Sequence, residues 1–159
     1  MEVQGVARPG RRQGSGRSSR LFTLEHAHRT LPLVRRIVAD VVKCHKRICA
    51  LEAKCQLPVP RGKEDEIEEL RYRYGQELDR LRALSEEVSA IGCRLKDFHR
   101  GIVDYRALYQ GRVIEFCWRH GEKSIQFWHE LDDGFHDRRE IDDAFVAEIA
   151  AEAEALSAL

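Results

Sequence analysis

No stretch of this chain approaches the roughly 18 consecutive apolar residues that a membrane span needs, and its start lacks the uninterrupted apolar core of a secretory signal. Both absences point to a cytoplasmic protein with no membrane partner. The five cysteines, Cys44, Cys49, Cys55, Cys93 and Cys117, include no C-x-x-C pair, which removes the zinc knuckle and the redox dithiol and suits a reduced compartment. Charge of one sign is also missing: 27 Lys and Arg stand against 27 Asp and Glu, so nothing marks the chain as a basic nucleic-acid binder. Glycine-rich phosphate loops, nucleophile elbows and H-E-x-x-H helices are absent as well. Aromatics reach only 8%, too few for a sandwich or barrel of many strands.

What the sequence does have is charge, 34% of 159 residues, arranged for long solvated helices around a single core. Residues 1–20 carry Arg8, Arg11, Arg12, Arg17 and Arg20 against Glu2 and offer little to bury, the composition of a disordered basic tail. Thr23 before Leu24-Glu25 reads as a helix cap. Pro32 then either kinks that helix or follows a restart capped by Thr30. Val34, Ile37, Val41, Cys44, Ile48, Leu51 and Cys55 recur at alternating spacings of three and four, a heptad seam. Pro58, Pro60 and Gly62 turn the chain, and the same period resumes from Glu64 to Ile91, where Gly92 is placed to stop it. The two helices are expected to pack antiparallel as a hairpin.

Beyond Gly92 the pattern shortens. Arg112–Trp118 and Ser124–His129 read as the two strands of a hairpin, and Gly101-Ile102-Val103-Asp104 as a short third strand. Strict alternation would put Ile114, Phe116 and Trp118 with Ile125, Phe127 and His129 on the face toward the helices. Trp128 and Glu130 would then face away, leaving Trp128 as an exposed interface anchor. Residues 140–159 form an acidic C-terminal helix, with six acids and no basic residue from Glu140 onward. The fold class is therefore α+β, mainly α: a long coiled-coil-like helical hairpin packed with a small antiparallel sheet over residues 21–139, followed by a last helix.

Phe22-Thr23-Leu24-Glu25, Leu31-Pro32-Leu33-Val34, Lys96-Asp97, Gly101-Ile102-Val103-Asp104, Cys117-Trp118-Arg119-His120-Gly121-Glu122, Trp128-His129-Glu130 and Gly134-Phe135-His136-Asp137-Arg138 occur in that order. In this order and spacing the chain resembles a bacterial family known as domain of unknown function 2203, over roughly residues 21–139. Tyr105-Arg106 departs from the aromatic-proline pair that would follow the family's aspartate. The resemblance implies no activity, so any chemistry has to be argued from the residues.

Imidazole and carboxylate gather in the second half, and Asp97, Asp104, His129 and Glu130 are the candidate ligands for a divalent zinc, manganese or iron ion. His129 and Glu130 point to opposite faces of a regular strand, so both reach one ion only if the strand ends or bulges there. The same residues also serve a purely structural role, with the aspartates bonding loop amides and His129 bonding a carboxylate. Arg138, Trp128 and Glu122 are candidate ligand-binding residues, Arg138 as an anion clamp unless it pairs with Asp97 or Glu122. His26 and His28 lie on opposite sides of a helix and share no ion. Two functions from different classes follow. One is an interaction module that self-associates as a homodimer through its helices or binds a partner protein. The other is a metal or small-anion site at the sheet rim, with hydrolase-like chemistry through a general base or an activated water.

Overall fold

The computed structural model describes residues 20–159; the basic segment expected at the start lies, but for Arg20, outside the described residues. The first long helix, α1, spans Leu24–Cys55, and the second, α2, spans Glu64–Ile91. The Thr23 hydroxyl accepts from the His26 amide at 3.0 Å, and Gly92 closes α2 with a left-handed φ of +106°. Helix α1 runs through Pro32 without restarting at Thr30. The proline ring lies on the exposed side and removes one helical bond, while Leu31 and Val34 keep their places in the core.

The sheet is larger than the sequence suggests. Strands β1 (Arg94–Asp97), β2 (Ile102–Tyr109), β3 (Arg112–Arg119), β4 (Phe127–Glu130) and β5 (Arg139–Glu140) form an antiparallel meander in that order. Of the four-residue strand expected at Gly101–Asp104, Ile102–Asp104 open the eight-residue β2 and Gly101 lies in the turn before it. Gln110 and Gly111, with φ of +49° and +71°, make the tight two-residue turn that joins β2 to β3. A 3-10 turn, Phe135–Asp137, precedes β5, and α3, Asp143–Ser157, follows it with Asp142 as its cap. The chain is thus α+β and mainly α, as the periodicity implies.

One face of the sheet closes the core. Val103, Tyr105 and Ala107 of β2 and Ile114, Phe116 and Trp118 of β3 are fully buried with Val34, Val38 and Val41 of α1 and Val88 of α2. Burying a valine or phenylalanine completely contributes roughly 1.5–3 kcal/mol, so this layer fixes which way the sheet faces.

The alternation expected for β4 is shifted by one residue. Phe116 pairs with Trp128 and Cys117 with Phe127, so Trp128 joins the core face while Phe127 and His129 turn outward. The loop from His120 to Gln126 is irregular, with the Ile125 amide bonded to His28 Nε2 at 3.1 Å. Strict parity does not survive such a loop, and a slip of one exchanges the two faces. Trp128 is accordingly no exposed anchor: it is 6% exposed and stacks on Phe145 of α3 with ring centroids 5.1 Å apart.

Gly101 is where the turn before β2 meets α1. Its φ is +66°, and an added Cβ would lie 2.7 Å from both Val38 Cγ1 and His120 Cβ. Gly101→Ala is expected to lower stability by about 2 kcal/mol or more, through positive φ and overpacking together, as read by urea unfolding. A loss within about 0.5 kcal/mol would contradict this packing.

Candidate functional site

The outward face of the sheet carries its own buried cluster, and the strand register builds it. Asp104 of β2 lies opposite Cys117 of β3, Arg106 opposite Glu115, and Glu115 opposite His129 of β4. Residues directly opposite share a face. Because Val103, Tyr105, Phe116, Trp118 and Trp128 are committed to the core, the residues between them must point the other way. Asp104, Glu115 and His129 are each 1% exposed and Cys117 is completely buried. A cavity of about 200 Å³ opens beside them, bordered by Lys96, Asp97, Arg100 and Phe135 in addition to Asp104, Cys117 and His129.

His129 is oriented by the backbone. Its Nδ1 lies 2.7 Å from the carbonyl oxygen of Glu130, which can only accept, so Nδ1 carries a proton. Nε2 lies 3.3 Å from Asp104 Oδ1. With Nδ1 protonated, Nε2 either holds a second proton and donates it to Asp104, or turns a bare lone pair into the cluster. The hydrogen bond with Asp104 therefore raises the His129 pKa against the opposing effect of burial, with the Glu130 carbonyl adding to it. For Asp104, burial alone would raise the pKa, but the bond with His129 and the charges of His129 and Lys96 bring it below the ordinary carboxylate value. Glu115 moves the other way, raised by burial and by the neighbouring Asp104, with Arg94 and Lys96 opposing. Burial and Asp104 push the Cys117 thiol well above its ordinary range.

The cluster is incompletely satisfied. Among the described residues, Asp104 Oδ2 and both carboxylate oxygens of Glu115 are buried without a hydrogen bond. Cations approach them at longer range, with Lys96 Nζ 3.4 Å from Asp104 Oδ2, and Arg94 and Arg106 3.5 and 3.8 Å from Glu115 Oε1. One ligand atom each from Asp104, Cys117 and His129 lie within 4.8 Å of one another. A tetrahedral ion with bonds of about 2.0–2.3 Å spaces its ligands by about 3.5 Å, so modest rotamer adjustment closes the set.

The structure brings Asp97, Asp104 and His129 to one cavity. Asp97 is engaged there by Arg100, which bonds it through both backbone N–H and guanidinium. Glu130 shares the core-side face with Ile114 and holds Arg112 at 2.6 Å, away from the cluster. Glu122 and Arg138 pair with each other at 2.8 Å, and Trp128 is on the opposite face. Cys117 and Glu115 were not among the sequence candidates. Their signal was a carboxylate and a thiol at alternate positions inside the apolar run Val113–Trp118. Lys96-Asp97, Gly101–Asp104, Cys117–Glu122, Trp128–Glu130 and Gly134–Arg138, five of the segments that carry the family resemblance, each place at least one residue on this cavity. A larger cleft of about 730 Å³ between the start of α1 and α3 is lined mainly by apolar side chains such as Phe22, Leu24, Val146 and Ile149. Among the described residues, the only group of ligand type is Asp104, Cys117 and His129.

A histidine whose pKa is raised by folding contributes stability that is complete below its ordinary value of 6.5 and is lost as pH rises through the folded value. In chelator-treated protein, Asp104→Ala is therefore expected to cost about 3 kcal/mol at about pH 6 and distinctly less at about pH 9. Glu115→Gln, which removes a like charge, is expected to stay within about 1 kcal/mol of the parent chain. Urea unfolding at the two pH values checks both, and an equal cost of Asp104→Ala at both would contradict the pairing with His129.

A family model described as an uncharacterized conserved protein, DUF2203, matches residues 20–141, from the start of α1 through β5. No curated protein and no solved structure matches the chain. With its model covering most of the chain and the whole of the sheet that builds the cluster, the protein belongs to the DUF2203 family.

Proposed function

We propose that the chain binds a divalent metal ion through Asp104, Cys117 and His129, with zinc the best match to a carboxylate, thiol and imidazole set. The observation that carries this reading is the 2.7 Å approach of His129 Nδ1 to the Glu130 carbonyl. The Nδ1–H bond to the Glu130 carbonyl leaves Nε2 as the ligating atom, the arrangement by which backbone groups orient metal-bound histidines. A proton and a metal ion thus compete for one place beside Asp104. Lys96, with its Nζ 3.4 Å from Asp104 Oδ2, holds that charge until an ion arrives. Glu115 is kept back from the ion by Arg94 and Lys96. Three protein ligands leave a fourth position toward the cavity, the pattern of zinc sites that take an exogenous ligand. An ion there would also displace the proton of Cys117 and supply Lewis acidity.

Titration of the chelator-treated chain with cobalt(II) is expected to give one bound ion and a thiolate-to-cobalt absorption band. Cys117→Ser should lose the band, and both Cys117→Ser and His129→Ala should weaken binding by about tenfold or more while unfolding stays cooperative. Unchanged affinity in both variants would overturn the proposal.

A second reading, a module that self-associates through its helices, is favoured by the seam of α2. Of its 28 residues only Leu84 and Val88 are buried, and Leu78 and Tyr72 are 37% and 63% exposed. Helix α1 carries seven Lys and Arg against three acids, and α2 nine acids against four Arg, so a second antiparallel copy would set unlike charges side by side. Sedimentation at micromolar concentration is expected to give a dimer that Leu78→Lys dissociates. A compact monomer would exclude this reading and leave the metal site standing.

A further inference from the structure

The mouth of the cavity holds a second constellation. Phe135, on the 3-10 turn after β4, borders the cavity. Three guanidinium groups surround its ring: Arg138 at 3.9 Å from the centroid, Arg100 at 5.0 Å and Arg119 at 5.9 Å. Like charges gathered on one ring repel, and among the described residues only two of the three are neutralised. Arg138 is paired with Glu122 at 2.8 Å and Arg100 with Asp97 at 3.0 Å. The guanidinium of Arg119 has no carboxylate within ion-pair distance among the described residues. What Glu122 takes from Arg119 is its backbone N–H. Arg119 stands two residues beyond Cys117 on β3, on the same face of the sheet.

The local charge has a sign. At the cavity and beside it, Arg94, Lys96, Arg100, Arg106, Arg119 and Arg138 face Asp97, Asp104, Glu115 and Glu122, so positive charge is in excess with His129 neutral. A divalent ion that takes the thiol proton of Cys117 adds one more positive charge. A cavity of about 200 Å³ is smaller than the roughly 300–1,000 Å³ that encloses a whole small-molecule ligand, so it admits a charged group and leaves the remainder of a larger molecule outside.

From this excess we infer that the site takes a phosphoryl group, which fills the open position of the metal ion and meets Arg119 and Lys96 at the mouth; the inference rests on the metal reading above. A phosphate carries about −1.5 to −2 at neutral pH, opposite in sign to the excess, and its oxygens accept the paired N–H bonds that a guanidinium offers. Lys96, released from Asp104 by the ion, becomes available to the same group. The shared chemistry belongs to free phosphate and to the end of a phosphomonoester.

Equilibrium dialysis of the full chain tests this, with the zinc-loaded protein freed of excess zinc and with inorganic phosphate and phenyl phosphate as separate probes. At least inorganic phosphate is expected to bind the zinc-loaded chain. Arg119→Ala should weaken it by about tenfold or more, with zinc content and unfolding unchanged because Arg119 is exposed. Binding of phenyl phosphate as well supports a monoester end, and its exclusion supports free phosphate. If zinc is retained and phosphate fails to bind, or binds equally to Arg119→Ala, the phosphoryl inference falls while the metal reading stands. If no zinc is retained, the metal reading falls and takes this inference with it.

Discussion

Everything that distinguishes this molecule depends on the register of three strands. The pairs Asp104 with Cys117, Arg106 with Glu115 and Glu115 with His129 place two carboxylates, a thiol and an imidazole in adjacent positions on one face. The opposite face supplies the reason the register holds. Val103, Tyr105, Phe116, Trp118 and Trp128 are locked against the helices, and a slip of one residue would expose them while driving the charged set into the core. The cluster and the core are two readings of one alternation, so neither changes without the other.

The cluster is costly as a purely structural device. Burying ionised groups carries a penalty that pairing repays only when geometry and hydrogen bonding are complete, and apolar replacements of similar volume often do as well or better. Here, among the described residues, Asp104 Oδ2 and both Glu115 oxygens lack hydrogen bonds, and the approaching cations stand at 3.4 Å or more. In the proposed site an ion would satisfy Asp104, while Glu115 stays with Arg94 and Lys96. The guanidinium groups around Phe135 carry the same logic outward to the mouth of the cavity.

Much of the fold was legible in the chain, and for physical reasons. Helix periodicity over some thirty residues leaves little choice, and Thr23, Pro58, Pro60 and Gly92 mark the ends by local chemistry, so the bounds of α2 coincide with the sequence reading. The sheet was harder. Tyr105, Ala107 and Tyr109 alternate inward along β2, but Arg106 and Leu108 between them gave no clean polar face, and Gln110-Gly111 is a less familiar turn than Asn-Gly. Asp104 and His129, with Asp97 and Glu130, stood out as candidates by residue type and by the expected place of His129 at the sheet rim. Their neighbours Cys117 and Glu115 became visible only through the cross-strand register, and the outward turn of His129 only through the irregular loop before β4. Pairing across strands is set by the whole layer and not by the residues of one strand, which is why Glu130, adjacent to His129 in sequence, is on the other side of the sheet.

The most direct test is the zinc K-edge X-ray absorption spectrum of the chain loaded with one equivalent of zinc. One sulfur scatterer at about 2.3 Å, from Cys117, is expected together with nitrogen and oxygen at about 2.0–2.1 Å that include an imidazole signature from His129. A spectrum with oxygen scatterers alone would place the ion on surface carboxylates and contradict the site.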